Sequence, residues 1–382
     1  MKSTKLKYLI APIYIIGIIL LIPLGYSCSD MNELADRFLD NGETIYAAKV
    51  DSASAGTGNR RILIELYIRT PRIEAVRIYW NNNTDSVDVP INGRMDIFKK
   101  TIDGLAEKSY IFNLVSFDKH GNRSLPYEVT GTVYGENYQS TLLNRGVYLI
   151  QSDTYGNKFI TWGNVDVTFG AKYTEIQYTN QTGKNVTLKV PVEDSRTVIP
   201  DYKGGTKFKY RTVYVPDQMG VDTFYTDYKE SVSTHFSLIK QGWKIVNFSS
   251  QHAGGDNAVT NIIDGTNATR WHCDATPAGP PYPHHVTFDL GGIVTVSQFG
   301  VWATTFEQAT GNVDLRGPDK IQFLVSRDGN EWTDLGSFDF DRSKLGEQLY
   351  PVTPTQARYY KFMGIRGPEK YMVLGELDVY SQ

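Results

Sequence analysis

The chain has 382 residues, of which 41% are hydrophobic and 21% charged, with a formal net charge of -3. That length holds two or three domains of ordinary folded composition. A slightly acidic balance with no run of like charge argues against a nucleic-acid partner, which calls for a basic surface.

The first segment reads as a targeting signal. Lys2, Lys5 and Lys7 precede an apolar stretch from Tyr8 to Leu24, broken by Pro12 and Pro23. It is short for a membrane span of about 20 apolar residues. The run Leu24-Gly25-Tyr26-Ser27-Cys28 resembles a lipoprotein signal. The resemblance implies cleavage before Cys28 and a lipid on its thiol; the alternative is an uncleaved anchor. Ser29-Asp30-Met31-Asn32-Glu33 resembles the surface-export signal of Bacteroidota lipoproteins. It implies a protein of the outer membrane that faces the exterior. Residues 1–27 are thus the expected signal peptide and 28–44 a tether, with a short helix predicted from Met31 to Asp40. With Cys28 lipidated, Cys273 has no partner, so no internal disulfide is expected. Cys273 is expected as a small buried hydrophobe, not a nucleophile.

From Ile45 onward the pattern is strand after strand, and the 25 tyrosines suit packing on pleated surfaces. Ile62 to Ile68 is rich in apolar residues. Val76 to Trp80 alternates and meets the turn cluster Asn81-Asn82-Asn83, Val87 to Val89 alternates again, and Tyr110 to Phe117 closes on Asp118 to Asn122. No stretch sustains a 3.6-residue apolar period. The plan then repeats. Tyr178 follows Tyr79 by 99 residues (178 − 79), and Gly220 follows Gly121 by the same step (220 − 121). A constant offset predicts two β-sandwiches of immunoglobulin or fibronectin III type, at 45–145 and 146–236. Phe38 to Glu43, Arg77 to Asn81, Phe117 to Ser124 and Gly131 to Gly135 are similar to a Bacteroidota lipoprotein family known as domain-of-unknown-function 4998. That resemblance implies a surface lipoprotein often encoded beside glycan-uptake systems. Physically, both copies read as spacers.

A boundary is expected between Ser231 and Gly242, and a different module occupies 243–382. Asn261-Ile262-Ile263-Asp264-Gly265, Thr269-Arg270-Trp271-His272, His285 to Gly291, Val325 to Trp332, Arg358 to Phe362 and Gly375 to Tyr380 stand in one order. In that order they resemble the coagulation factor V/VIII type C domain (discoidin, carbohydrate-binding module family 32-like). The fold implied is a jelly-roll β-sandwich with binding loops gathered at one end, so the whole chain is expected to be all-β. Trp271, Trp332 and Tyr360 are expected in the core. In carbohydrate-binding relatives an Asp-Gly loop holds a structural calcium, completed by a glutamate of the last strand. The matching residues are Asn261 by its carbonyl, Asp264, Asn267, Thr269 and Glu376. The alternative is an ordinary Asp-Gly turn beside a surface glutamate.

Sugar sites pair an aromatic face with a few polar groups. The loop residues chosen as ligand contacts are His272, Tyr282, Trp302, Arg316 and Tyr371, with Tyr282 held outward by Pro280-Pro281-Tyr282-Pro283. Ala303-Thr304-Thr305 stands where galactose-binding relatives carry an arginine, so galactose itself is not implied. His284 and His285 are adjacent on a strand and point to opposite faces, which prevents joint chelation. The expectation is a glycan-binding, non-enzymatic surface lipoprotein, accessory to a glycan-uptake system. The alternative is a protein- or matrix-binding adhesin on the same scaffold.

Overall fold

A computed structural model describes residues 44–382; the signal segment, Cys28, the helix expected from Met31 to Asp40 and nearly all of the tether lie outside them. The chain divides into two compact units, one of residues up to 56, 63–102 and 109–131, the other of 57–62, 103–108 and 132–382. Strands dominate both, as the turn spacing predicts. Among the described residues no helix is long and apolar enough to cross a membrane.

Seven strands build the first unit: β1 (Ser52–Thr57), β2 (Arg61–Tyr67), β3 (Ala75–Trp80), β4 (Asp85–Pro90), β5 (Ile97–Asp103), β6 (Ser109–Phe117) and β7 (Tyr127–Thr132). One sheet has the order β1-β2-β5 and the other β4-β3-β6-β7. In β2, Ile62, Ile64 and Leu66 are fully buried while the residues between them stay partly exposed. This is the two-residue period of a strand with one face in a core. Asn81, Asn82 and Asn83 all take left-handed backbone angles and close the β3–β4 hairpin, a conformation asparagine tolerates better than most residues.

The second unit opens with a helix, α1 (Glu136–Thr141), then β8 (Val147–Ser152), β9 (Lys158–Trp162), β10 (Ala171–Thr179), β11 (Asn185–Pro191), β12 (Arg196–Ile199), β13 (Lys209–Tyr214), β14 (Phe224–Tyr225) and β15 (Lys229–Glu230). The strand order is that of the first seven again. β8-β9-β12 matches β1-β2-β5, and β11-β10-β13-β14 matches β4-β3-β6-β7. The glycines of the 99-residue offset sit in equivalent turns: Gly121 N–H donates to Asp118 O, and Gly220 N–H to Asp217 O. Ile160, Trp162, Ile176, Tyr178, Tyr210 and Phe236 share one buried cluster.

The C-terminal part contains β16 (Phe236–Leu238), β17 (Lys244–Phe248), β18 (Trp271–His272), β19 (His284–Trp302), β20 (Lys320–Ser326), β21 (Thr333–Asp339), β22 (Glu347–Arg366), β23 (Val373–Leu374) and β24 (Glu376–Ser381). The long β19 pairs with β22 on one side and with β17 and β24 elsewhere along its length. Trp271, Phe288, Phe299, Phe323, Tyr360 and Phe362 are fully buried in one core, with Phe299 stacked 4.3 Å from Phe323 and 4.7 Å from Tyr360. Each such side chain contributes roughly 1.5–3 kcal/mol by leaving water. Trp271 and Tyr360 are core residues, as expected. Trp332 is not: it stays half-buried, with the Lys361 ammonium 4.1 Å above its ring. Gly329, with φ +83°, makes the Asp328-Gly329 turn.

Between the middle and C-terminal domains runs a strand. β16 pairs antiparallel with β24 and parallel with β8. The hydrogen-bonded ladder therefore passes unbroken from β12-β9-β8 through β16 into β24-β19-β22-β20-β21. Lys158 lies buried beside this joint, donating to Ser152 Oγ (3.1 Å), Ser381 Oγ (3.0 Å) and Gln382 O (2.8 Å). Burial lowers its ammonium to about 8.

Candidate functional site

At one end of the C-terminal domain, β18 and the segments before β20 and β23 converge. His272 is nearly buried, and its Nδ1 lies 2.7 Å from Cys273 O. A carbonyl only accepts, so Nδ1 carries the proton and Nε2 is left as an acceptor in the neutral ring. Burial holds His272 below its ordinary value. Its ring stacks on Tyr371, centroids 4.9 Å apart at 19°, and lies 5.4 Å from the His252 ring. His252 Nδ1 in turn is 3.6 Å from the Asp274 carboxylate.

Arg316 grips Asp314 in a fork, Nε to Oδ1 at 2.8 Å and Nη2 to Oδ2 at 2.5 Å. Such two-point pairs fix the plane of the guanidinium. The Asp314 side chain is only 3% exposed, whereas that of Arg316 is 37% exposed. Burial pushes the Asp314 carboxyl up, but the Arg316 guanidinium and amide pull it further down, to below its usual value. The Asp314 carboxylate and the nearby Tyr371 hydroxyl both favour the charged guanidinium of Arg316. Beside them Arg270 donates to Asn257 Oδ1 (2.9 Å) and covers the Phe306 ring at 4.3 Å. The result is a rim in which the half-exposed His252, Arg270, Arg316 and Tyr371 surround the buried His272 ring.

Three of the five expected contacts, His272, Arg316 and Tyr371, are therefore neighbours. Tyr282 does not point outward. Its ring packs edge-on to His284 at 4.7 Å and its hydroxyl is buried without a hydrogen-bond partner. Gly364 and Gly367 make the room: a Cβ on Gly367 would stand 2.3 Å from the Tyr282 hydroxyl. The prolines stiffen the loop, but the missing side chains opposite decide which way the ring turns. Trp302 is half-buried at the end of β19 and faces a separate cavity. His252, one of the loop residues the sequence offers, belongs to the rim as well, and so do Asp274 and Asp314, which the sequence does not set apart from other acidic loop residues. Cys273 is fully buried, its thiol pushed up to about 12 by desolvation.

The Asp-Gly corner and the last strand do meet. Gly265, with φ +92°, donates its N–H to Glu376 Oε1 at 2.9 Å. The five residues expected around calcium come together only in part: the Thr269 hydroxyl lies 3.4 Å from Asn261 O and 2.7 Å from Asp264 Oδ2, while Glu376 Oε1 is held by the Gly265 N–H and the Lys240 ammonium. Asp264 turns both carboxylate oxygens into its own loop, accepting from Thr266 N–H (3.0 Å) and the Thr269 hydroxyl (2.7 Å). The carbonyls of Asn267 and Thr269 both accept from the Thr304 hydroxyl. Asn261 Nδ2 donates to Arg270 O at 2.9 Å. The Lys240 ammonium sits on Glu376 Oε1 and lies 2.8 Å from Asp378 Oδ1. Calcium needs six to eight oxygens, and a divalent ion about 4 Å from an ammonium meets roughly 8 kcal/mol of repulsion at an effective dielectric constant near 20. Among the described residues, no group of three or more His, Cys, Asp or Glu is placed to hold a metal ion. Glu376 Oε2 is buried without a partner, and burial pushes this carboxyl up to about 7 against the pull of Lys240.

A family model for an F5/8 type C domain matches residues 245–376. A curated sialidase of Micromonospora viridifaciens is 28% identical over 137 residues, covering 35% of this chain and 20% of the sialidase, so the chain spans about a fifth of that relative. Among solved structures, the C-terminal domain of a chitobiase from Bacteroides fragilis is 27% identical, with 38% of this chain and 97% of that one covered and a TM-score of 0.34. A family 32 carbohydrate-binding module of Clostridium perfringens, in complex with galactose, is 18% identical, with 38% and 99% covered and a TM-score of 0.33. A second model, DUF4998, described as a domain of unknown function, matches residues 28–224, more than half of the sequence. The chain belongs to that family, and it carries an F5/8 type C domain as its C-terminal third.

Proposed function

We propose that the chain is a surface lipoprotein that binds a carbohydrate at the rim formed by His252, His272, Arg316 and Tyr371, and that it acts as a binding component beside a glycan-uptake system. The observation that carries the reading is the His272–Tyr371 stack beside the forked Arg316–Asp314 pair. Sugar rings present an apolar C–H face and a ring of hydroxyls. Tyr371 offers an aromatic surface, Arg316 planar donors and His272 Nε2 an acceptor. All three are held before any ligand arrives, which lowers the entropy lost on binding. The role is binding rather than catalysis: the F5/8 type C domain is a binding module, and the sialidase relative shares only a fifth of its length with this chain. A lipid on Cys28 would present the rim to the medium.

The test is a glycan array probed with the full mature chain, followed by titration of the best ligand against Tyr371→Ala. Loss of binding in that variant, with its melting temperature kept, supports the rim as the site. Unchanged affinity removes the rim from the reading. No binding to any glycan, together with capture of a surface protein, favours an adhesin. Anchoring is tested by labelling with a fatty-acid analogue, which Cys28→Ser should abolish.

A further inference from the structure

Three separated segments meet at the corner opposite Trp302. Lys240 comes from the turn that joins β16 to β17, where Trp243 N–H donates to Lys240 O at 3.0 Å. Gly265 and Asn267 come from the Asp-Gly loop, and Glu376 and Asp378 from β24. Together with Thr266 and Trp302 they line a cavity of about 190 Å³. The Lys240 side chain is 16% exposed, that of Glu376 4% and that of Asp378 19%. Lysine rarely gives up that much water without a partner. Here it has two carboxylates, one of them braced by the Trp302 indole N–H at 3.0 Å.

We propose that Lys240 is the resident cation of this corner, an ammonium on the chain itself that ties the domain entry, the Asp-Gly loop and the last strand together where a divalent metal was expected. The chemistry is consistent at each contact. The ammonium faces Glu376 and Asp378, whose negative charges need a positive partner in a poorly solvated site. Gly265 adds an N–H donor to the same glutamate oxygen, so Oε1 is held by two donors of this chain. A tethered cation also cannot be removed by dilution or a chelator. The corner is then metal-independent, and so is the placement of the loop that follows it.

Thermal melting of the full chain in excess EDTA and in millimolar calcium chloride tests this directly, with Lys240→Met as the second arm. The wild-type melting temperature is expected to be the same in both media, and Lys240→Met is expected to melt roughly 5–10 °C lower. A wild-type melt that falls with EDTA or rises with calcium overturns the proposal, as does a Lys240→Met variant that melts with the wild type. The wild-type arm requires no mutant to fold. Since neither arm reads glycan binding, failure here and failure of the carbohydrate reading are separable.

Discussion

Replacing Arg316 by alanine separates what the rim does for stability from what it does for recognition. Asp314, its side chain 3% exposed, would keep its charge and lose the guanidinium that faces it. Breaking a buried pair by removing one partner costs about 3–5 kcal/mol, whereas exposed pairs are worth about 1 kcal/mol or less. Since the Arg316 side chain is 37% exposed, water can partly replace it, and roughly 2–3 kcal/mol is the expected loss. For a domain of this size that lowers the melting temperature by roughly 6–12 °C. Adding Asp314→Asn removes the stranded charge, so the double variant should recover most of the loss. Calorimetry on the full chain reads the stability, and titration with the array's best glycan reads the binding. The double variant is expected to fold and not to bind. An Arg316→Ala chain that melts with the wild type would refute the pairing, and a double variant that binds normally would refute the contact.

Tyr282→Phe removes a hydroxyl that is buried without a partner and should stabilise the chain by about 1 kcal/mol with glycan affinity unchanged; a lower melting temperature would show that the hydroxyl is satisfied. Iodoacetamide at pH 8 should leave Cys273 unmodified in folded Cys28→Ser protein and label it in denaturant, because burial pushes the thiol up to about 12; labelling of the folded chain would contradict its placement. His284, with Nε2 2.9 Å from Lys370 O, is held below its ordinary value of 6.5 by burial. Its contribution to stability is therefore present above pH 6.5 and lost as pH falls below it. NMR titration should find its ring protonating only below 6.5, and a midpoint at or above that value would refute the assignment.

Most of the architecture was legible because it rests on local patterns. The alternation in β3, the asparagines after it and the Asp328-Gly329 turn each dictate backbone geometry within a few residues. The 99-residue offset worked because equivalent turns recur in a repeated strand order. The rim was partly legible. His272, Arg316 and Tyr371 lie in separate loops, and only the order of the domain's landmarks suggested that they meet. Tyr282 shows the limit. Proline density describes the stiffness of its loop, while its direction is set by Gly364 and Gly367, more than 80 residues away. Lys240 left no signal either. One lysine in a joint looks like any solvated charge until β24 brings two carboxylates to it.

The strand shared by the middle and C-terminal domains has a practical consequence for dissecting the protein. A fragment begun at Trp243 discards β16 and strips the outer side of β24 where Tyr380 and Ser381 pair with it. Backbone donors and acceptors left open in this way invite another chain to add itself. It also discards Lys240, leaving Glu376 and Asp378 without their countercharge. Such a truncation would self-associate and melt early even if its rim were intact, so a shortened piece should start well upstream of β8, near residue 132, and keep the Leu142 packing and the buried Arg145.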